Sequence, residues 1–222
     1  MQIVISGYGK MGHIVEEVLR EKGIECAGAT EDIVNFPDDI AKESVCIDFT
    51  TPDSFRSNYP VLAGKFKAVV VGTTGWDDIA AEVKECFEKA GTPMIYASNF
   101  SIGVNVTFAL TALAAGKLSD MGYKSSIVET HHIHKLDAPS GTAASMAAIV
   151  KANGSWNEVP IESIREGEVA GIHELVFEGV CDRLTIRHEA FSRRGFAEGA
   201  VQAALMTEGL TGVYEFKELI LK

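Results

Sequence analysis

The amino-terminal part of the chain alternates short apolar runs with amphipathic stretches. Apolar runs of this length are typical of buried strands, and they lie at residues 2–6, 24–30, 45–49, 68–72 and 93–97. Between the first two runs, apolar residues recur at the three- and four-residue spacing of a helix: Met11, Ile14, Val15, Val18 and Leu19. The same spacing predicts a helix over residues 76–90. Strands that alternate with helices predict an α/β fold with a Rossmann-like, doubly wound parallel sheet.

After residue 103 the pattern becomes that of a second domain. Helices are predicted at residues 104–115 and 142–151, with a strand at 125–130 between them. Three strand-like runs then follow with little helix between them, at residues 161–165, 171–178 and 183–188. This order predicts an α+β domain on a mixed or antiparallel sheet. A last helix, through Leu205, carries small residues on one face, so we expect it to return to the first domain. The predicted domains are residues 1–102 plus 194–222, and residues 103–193.

Size, charge and cysteine use limit the possible functions. The chain has 222 residues, which is enough for two small domains. Its formal charge of −11 argues against nucleic acid or an anionic membrane as a partner. The cysteines are widely spaced and three lie in apolar runs, so buried free thiols are expected rather than disulfides or a metal site: Cys26, Cys46, Cys86 and Cys181. The sequence begins directly in a strand and has no run near the ~18 apolar residues of a membrane span, so we expect a cytoplasmic protein.

A glycine-rich loop, G-Y-G-K-M-G at residues 7–12, separates the first strand from the first helix. In a dinucleotide-binding unit, Gly7 permits the tight turn, Gly9 lets the backbone approach the pyrophosphate, and Gly12 allows the helix to pack closely on the strand. Such units carry an acidic residue about 20 positions further on, and Glu31 and Asp32 follow the second strand. We expect Glu31 to accept hydrogen bonds from the adenine ribose. A solvated loop acid, and a glycine turn without a ligand, remain the alternatives.

The segment E-T-H-H-I-H-K-L-D-A-P-S-G-T-A, at residues 129–143, concentrates the candidate chemistry. Imidazoles that titrate near neutral pH stand beside the fixed charge of Lys135: His131, His132 and His134. Ser140 is a good helix N-cap, and the next residues, Gly141 and Thr142, would present backbone N–H groups to a carboxylate or phosphate. Proton donors beside an anion site predict an active site for an acidic small molecule. With the glycine loop, they predict hydride transfer followed by protonation.

Other interpretations of this segment are weaker. H-H-x-H can ligate zinc, but Lys135 alongside would repel the cation, so we expect no metal. A nucleophilic triad of Ser140, His131 and Asp137 lacks the glycine-flanked elbow of such serines. His134 is as easily a surface residue. A Rossmann oxidoreductase with another acidic substrate, or a dinucleotide sensor without turnover, remains possible, although a sensor needs no proton donors.

The motif H-H-x-x-K-x-D-A-P-S-G-T-A resembles the signature of the dihydrodipicolinate reductases of lysine biosynthesis. The resemblance extends along nearly the whole chain, through G-Y-G-K-M-G, D-F-T-T-P, G-T-T-G, S-N-F-S-I-G-V-N and R-H-E-A-F-S-R-R-G-F-A. It implies an enzyme in which NADH or NADPH reduces 4-hydroxy-tetrahydrodipicolinate, with loss of water, to tetrahydrodipicolinate. It also implies a homotetramer. Residues 1–102 plus 194–222 are then the dinucleotide-binding domain, and residues 103–193 the substrate-binding and oligomerisation domain.

The resemblance also implies roles for single residues. His131 matches the proton donor and acceptor of the family, and Lys135 its proton donor. Expected substrate ligands are His132, Ser140, Gly141, Thr142 and, less directly, Arg193. Expected cofactor ligands, with Glu31, are Gly7, Tyr8, Gly9, Lys10, Met11, Gly12, Gly72, Thr73, Thr74, Ala97, Ser98, Asn99 and Phe100.

The chain departs from the family pattern in the cofactor region. Lys10 stands where the family usually has arginine, and the segment between Thr30 and Val45 is shorter than in many relatives. No arginine directly follows Glu31, where a basic residue would favour a 2′-phosphate. The adjacent charges of Glu31 and Asp32 would repel that phosphate. We therefore expect NADH to be preferred over NADPH.

Overall fold

A computed structural model describes residues 1–221 of the protein. The chain divides into two compact units. The first unit comprises Met1–Ile102 together with the segment that starts at Arg194, and the second comprises Gly103–Arg193. None of the described helices is long and apolar enough to cross a membrane.

The first unit is built on a six-stranded sheet in which all neighbouring strands are parallel. Its strands are β1 (Gln2–Ser6), β2 (Glu25–Thr30), β3 (Ser44–Asp48), β4 (Ala68–Val71), β5 (Met94–Tyr96) and β10 (Val213–Glu215). The strand order is β10-β5-β4-β3-β1-β2, so the order of the chain reverses between β1 and β3. This confirms the predicted Rossmann-like, doubly wound sheet. In such sheets ligands bind where the order reverses, beyond the carboxyl ends of the strands.

Helices cover both faces of this sheet. They are α1 (Lys10–Glu21), α2 (Asp38–Ala41), α3 (Pro52–Lys65), α4 (Ala80–Ala90), α7 (Arg194–Met206) and α8 (Phe216–Ile220). Because successive side chains of a strand point to opposite faces, Ile3 and Ile5 pack in a core with α1 and α7, whereas Val4 packs in a second core with α3 and α4. Small buried residues of α7, such as Ala200, let it lie close to the sheet.

The structure corrects one predicted helix boundary in this unit and adds elements that were not predicted, among them helix α3 and strand β10. The helix predicted to begin at Trp76 opens instead with a 3₁₀ turn, Asp77–Ile79, and the α-helix starts at Ala80. Helix α3 was missed because its apolar spacing is weak and Pro60 lies inside it. A start signal was nevertheless present, since the Thr51 hydroxyl accepts a hydrogen bond from the Ser54 N–H at 3.2 Å. Strand β10 was also not predicted, because its three residues are too few to show a periodic pattern.

The second unit is built on a four-stranded mixed sheet of order β7-β6-β8-β9. Its strands are β6 (Lys124–His131), β7 (Ile161–Arg165), β8 (Gly171–Glu178) and β9 (Arg183–Ala190). Strands β6 and β7 are parallel, and the other neighbours are antiparallel, which confirms the predicted mixed sheet. Helices α5 (Ile102–Leu118) and α6 (Gly141–Ala152) cover one face around Ile127, Leu175 and Phe177.

The thiols of all four cysteines are free, as predicted, but not all of them are buried, which differs from the prediction. Cys46 alone is fully buried, whereas Cys181 is exposed and the other two are half-buried.

Candidate active site

The glycine loop between β1 and α1 has the geometry that its spacing predicts. Gly7 has a φ of +86°, and a Cβ there would lie 2.3 Å from the carbonyl oxygen of Phe49. A Cβ on Gly12 would lie 2.4 Å from the carbonyl oxygen of Gly7. Gly9 is different, because a Cβ there would meet nothing within 4 Å. Gly7 and Gly12 are therefore required by the fold itself, whereas Gly9 leaves an open surface.

The amino terminus of α1 fits a dinucleotide pyrophosphate. Gly9 is the N-cap residue, no described side chain caps the helix, and its first turn has no acidic residue. The first N–H groups of a helix lack internal partners and carry partial positive charge. Lys10, at the first helical position, is exposed and adds a positive charge, whereas Met11 packs against the core. This helix end can accept an anion through its backbone.

The two neighbouring acids after β2 take separate roles in the structure. Glu31 accepts a hydrogen bond from the backbone N–H of Tyr8 at 2.6 Å, so its carboxylate lies at the glycine loop. Asp32 instead accepts from the side chain of Asn35 at 2.7 Å. Of the two acids, Glu31 is therefore the one beside the loop. The Tyr8 hydroxyl bonds to Glu16, and its ring lies against His13.

A buried carboxylate that sequence reasoning missed joins the ends of three strands. Asp48 ends β3 and accepts hydrogen bonds from the hydroxyls of Ser6 at 2.7 Å, Thr50 at 3.0 Å and Thr73 at 2.5 Å. Burial raises its pKa above the ordinary value, although these hydrogen bonds oppose the rise. The only sequence signal for it was a carboxylate at the carboxyl end of an otherwise apolar strand. Thr73 therefore has its hydroxyl turned to Asp48.

The remaining predicted cofactor residues follow β4 and β5. Gly72 lies under the ring of Phe49, since a Cβ there would be 2.1 Å from the nearest ring carbon, and Thr74 is exposed. After β5, Ala97 and Phe100 are buried in the core, so only their backbone groups can reach a ligand. Ser98 is exposed and Asn99 is half-buried. The Asn99 side chain accepts a hydrogen bond from the Ser101 N–H at 2.9 Å.

In the second unit, His131 is the last residue of β6 and is buried. Alternation along the strand places Glu129 on the same face, and the His131 Nδ1 is hydrogen-bonded to a Glu129 carboxylate oxygen. The ring of His173, on β8, stands edge-on at 5.0 Å between centroids. Gly171 leaves room for the His131 ring, because a Cβ there would lie 3.0 Å from Nε2.

Charged groups surround the Glu129–His131 pair. The Arg165 Nη2 lies 3.0 Å from the second oxygen of Glu129, and the backbone N–H of Ser140 donates to that oxygen at 3.3 Å. Burial acts to raise the pKa of Glu129, but hydrogen bonds from Ser163, Arg165 and His131 outweigh it and leave the pKa below the ordinary value. Burial lowers the pKa of His131; Glu129 opposes this shift, while Lys135 and Arg165 add to it. These shifts favour a neutral imidazole beside an ionised carboxylate at neutral pH.

Lys135 lies in a turn after β6, not on a helix shared with His131. Its Nζ lies 2.7 Å from an Asp137 oxygen, and this hydrogen bond lowers the pKa of Asp137. The Arg165 guanidinium holds the turn by donating to the carbonyl oxygens of Asp137 at 2.6 Å and Lys135 at 3.3 Å. His132 is half-buried, and its Nδ1 has no hydrogen-bond partner among residues 1–221.

Ser140 has the predicted cap role at the start of α6. Its hydroxyl accepts from the Ala143 N–H at 3.2 Å and lies 3.0 Å from Nε2 of His173. It therefore faces His173 rather than His131, while Asp137 is paired with Lys135, so the alternative triad is not formed. The first turn of α6 has no acidic residue, and a Cβ on Gly141 would meet nothing within 4 Å.

The other two predicted substrate ligands are Thr142 and Arg193. Thr142 is half-buried in the first turn of α6. Arg193 is exposed just beyond β9, and within the described chain its side chain has no hydrogen bond or ion pair. His134 is also exposed and lies 3.5 Å from Glu168, as expected for a surface residue.

The histidines do not form the H-H-x-H metal site. The one cluster of possible ligands in the described part of the chain is Glu129, His131 and His173, whose ligand atoms lie within 4.8 Å of one another. The Glu129 carboxylate is already neutralised by Arg165 and bonded to His131. A cation there would face the guanidinium, which disfavours metal binding.

Comparison with known proteins places the chain in a family. The profile described as "Dihydrodipicolinate reductase, N-terminus" matches residues 1–100, and "Dihydrodipicolinate reductase, C-terminus" matches residues 103–220. The chain belongs to the dihydrodipicolinate reductase family. The predicted resemblance is therefore confirmed, and with it the prediction of an oxidoreductase that uses NADH or NADPH.

Relatives match this reductase over its whole length. A 4-hydroxy-tetrahydrodipicolinate reductase of Christiangramia forsetii is 37% identical and covers 99% of this chain and 98% of the relative. The enzyme of the same name from Ralstonia pickettii is 33% identical, with 99% of each chain covered. A dipicolinate-bound dihydrodipicolinate reductase from Paenisporosarcina sp. TG-14 has the same fold, with a TM-score of 0.76 at 23% identity and 97% of each chain covered.

Proposed function

We propose that this reductase converts 4-hydroxy-tetrahydrodipicolinate to tetrahydrodipicolinate, with loss of water, in the diaminopimelate route of lysine biosynthesis. Curated relatives of that name match the chain from end to end. The observation that carries the mechanism is the grouping of His131, Lys135 and the open amino terminus of α6 in one segment of the second unit. The roles of single residues below are part of the proposal.

The second unit would bind the substrate through its carboxylates. The N–H groups of Gly141 and Thr142 begin α6, where the helix dipole favours an anion, and Ser140 fixes that end by capping it. His132 has a buried ring nitrogen that needs a partner, and Arg193 is an exposed cation. A dicarboxylate suits this set, because each carboxylate can take charge-assisted hydrogen bonds.

The first unit would hold the dinucleotide. The open surface at Gly9 and the uncapped amino terminus of α1 suit the pyrophosphate, and Glu31 suits a ribose that offers hydroxyl donors. The segments 72–74 and 97–100 follow β4 and β5 at the same edge of the sheet. Bound there, a reduced nicotinamide supplies the hydride for the reaction.

His131 and Lys135 would manage the protons of the reaction. Loss of the hydroxyl as water takes up one proton at oxygen and releases one from the neighbouring ring carbon. Hydride addition then leaves an enamine-like centre that must gain a proton, so the reaction consumes one proton overall. The Lys135 ammonium is a proton donor, and Nε2 of His131 can accept or donate because Nδ1 is engaged by Glu129. Glu129 would also stabilise the imidazolium that forms.

The test is oxidation of NADH and NADPH, followed by absorbance, with the substrate generated by the preceding enzyme of the route. Alanine at His131 or Lys135 should lower kcat by about 10²- to 10⁴-fold, because each removes a proton donor. Cofactor affinity should stay near normal. Matched controls are His134→Ala and Lys124→Ala, which remove exposed residues of the same types from the same part of the chain. Activity that survives both site substitutions within a few-fold would refute the assignment.

The assembly and the compartment stay predictions. We propose a homotetramer formed through the outer face of the second unit's sheet. That face is opposite the helices and carries apolar side chains at Val128, Ile164, Ile172 and Val176. Free thiols on Cys26, Cys46, Cys86 and Cys181 support the cytoplasm as the compartment.

A further inference from the structure

We propose that Glu129 is a positioning residue that fixes the tautomer of His131 and stabilises its protonated form. This inference rests on the proposed function in one respect, namely that His131 transfers a proton to or from the substrate. Glu129 is not expected to touch the substrate. It is fully buried behind His131, two residues earlier on the same strand.

The tautomer follows from the hydrogen-bond partners. An ionised carboxylate can only accept hydrogen bonds, so the His131 Nδ1 bonded to Glu129 must carry the proton. In the neutral ring, the lone pair then lies on Nε2. This nitrogen is beside Gly171, where the missing side chain leaves space around it. The arrangement presents the same reactive nitrogen in every turnover.

The carboxylate is itself held in place from two other elements. Arg165, at the end of β7, bonds at 3.0 Å to the oxygen that does not contact His131. The Ser140 N–H, just before α6, donates to that oxygen at 3.3 Å. Both contacts stabilise the ionised form of Glu129. One carboxylate oxygen accepts from Arg165 and Ser140, and the other accepts from His131. Without these partners, burial would favour the protonated form of Glu129, whose O–H could donate to Nδ1, and the tautomer of His131 would no longer be fixed.

The charges around His131 explain why this acid matters. The groups that face the ring from the packed elements are Glu129 on β6, Lys135 in the following turn, Arg165 on β7 and His173 on β8. Lys135 and Arg165 disfavour a positive imidazole, as does burial. Glu129 is the one group among them that favours it. His188, on β9, pairs across the sheet with His173 and is also buried enough that its pKa is lowered.

The removal of the Glu129 charge should therefore have a specific signature. Glu129→Gln keeps the shape but leaves the protonated His131 facing two cations without an anion. We expect the pKa of His131 to fall further and its tautomer to become mixed, because an amide can either accept from Nδ1 or donate to it. Glu129→Asp keeps the charge and should retain more of the wild-type behaviour.

The experiment uses the full chain with ¹⁵N-labelled histidine, observed by NMR across pH, with the His131 signal assigned by its loss in His131→Gln. Wild type, Glu129→Gln, Glu129→Asp and the control Glu174→Gln are compared. Glu174 lies on the neighbouring strand β8 but on the opposite face of the sheet, so its loss should leave His131 unchanged. This measurement needs no substrate, so it tests the inference even if the proposed reaction fails.

Steady-state kinetics of the same variants provide a second test. Glu129→Gln should lower kcat about 10- to 100-fold, less than direct loss of His131, and move the His131 limb of the pH profile to lower pH. The KM for NADH should be unchanged. A fall in kcat with an unaltered His131 tautomer and an unaltered pH profile would mean a merely structural role and overturn the proposal.

Two further outcomes test the role of Glu129 without relying on the Glu129→Gln variant. If Glu129→Gln does not fold, the wild-type ring is decisive: a His131 protonated at Nε2 instead of Nδ1 overturns the inference. Zinc that shifts the His131 and His173 signals together at one equivalent would show a cation site on Glu129, His131 and His173, and would also overturn it.

Discussion

Alanine substitutions at Gly12 and Gly9, with Gly64 as a control, test whether each glycine of the nucleotide-binding loop is required by packing within the fold or by the approach of the dinucleotide. In Gly12→Ala, the new Cβ would lie 2.4 Å from the carbonyl oxygen of Gly7. The two groups would have to separate by about 0.6 Å, to 3.0 Å, before the contact became tolerable. Gly7 cannot easily yield, because its N–H is bonded to the Thr30 carbonyl at 2.9 Å and its φ of +86° is fixed by the turn.

The expected cost follows from this clash. Overpacking of a rigid site costs about 1–3 kcal/mol, more than the up to 1 kcal/mol that alanine gains over glycine in a helix. In a chain of this size each kcal/mol lowers Tm by about 2–4 °C. The displaced loop should also bind NADH more weakly, and each 1.4 kcal/mol of lost binding free energy would appear as about a tenfold rise in Kd.

Two matched substitutions separate the causes. Gly9→Ala meets nothing within 4 Å and has a φ of −86°, so Tm should fall only by the small cost of alanine at an N-cap, less than in Gly12→Ala. The methyl group should nevertheless obstruct the pyrophosphate and weaken NADH binding. Gly64→Ala lies in α3, also with nothing within 4 Å, so it should raise stability by up to about 1 kcal/mol and leave NADH binding unchanged.

Thermal melts and NADH titration by fluorescence measure both quantities for the three variants. Equal losses of Tm in Gly9→Ala and Gly12→Ala would refute the reasoning, because of these two positions only Gly12 would bring its Cβ against the backbone. Normal NADH binding by Gly9→Ala would also refute it, since the pyrophosphate would then bind elsewhere.

Two other predictions concern pH and cofactor choice. Burial lowers the pKa of His173 from 6.5 to about 4. Between these pH values the unfolded chain binds a proton that the folded chain does not bind. The free energy of unfolding should therefore decrease as pH falls from 6.5 towards 4, by up to about 3 kcal/mol. Urea unfolding at pH 7 and pH 5 should show a smaller loss for His173→Gln than for wild type, and an equal loss would contradict this account. Because Glu31 lies at the glycine loop, we expect a higher kcat/KM with NADH than with NADPH, and a shift towards NADPH in Glu31→Gln. Comparable values for the two cofactors in the wild type would show that the acid does not repel the 2′-phosphate.

The features that the sequence predicted best are those written in consecutive residues. The apolar runs at β1, β3 and β4 predicted a parallel sheet, and the glycines at 7, 9 and 12 predicted the turn that follows β1. Ser140 predicted the start of α6 because capping involves residues only three apart. The family was also recognisable from the continuous segment at residues 129–143.

What only the tertiary structure decided depends on residues far apart in the chain. Arg165 reaches Glu129 across the β6–β7 pairing, and Asp48 binds Ser6 and Thr73 across three strands. The sequence favoured Glu31 over Asp32 only by its spacing, and the fold shows its contact with the glycine loop. The sequence also could not show that Ser140 faces His173. These contacts are set by strand register and by the packing of helices on sheets. A pattern of neighbours along the chain contains neither, so the sequence determined which chemical groups are present, and the fold determined which of them meet.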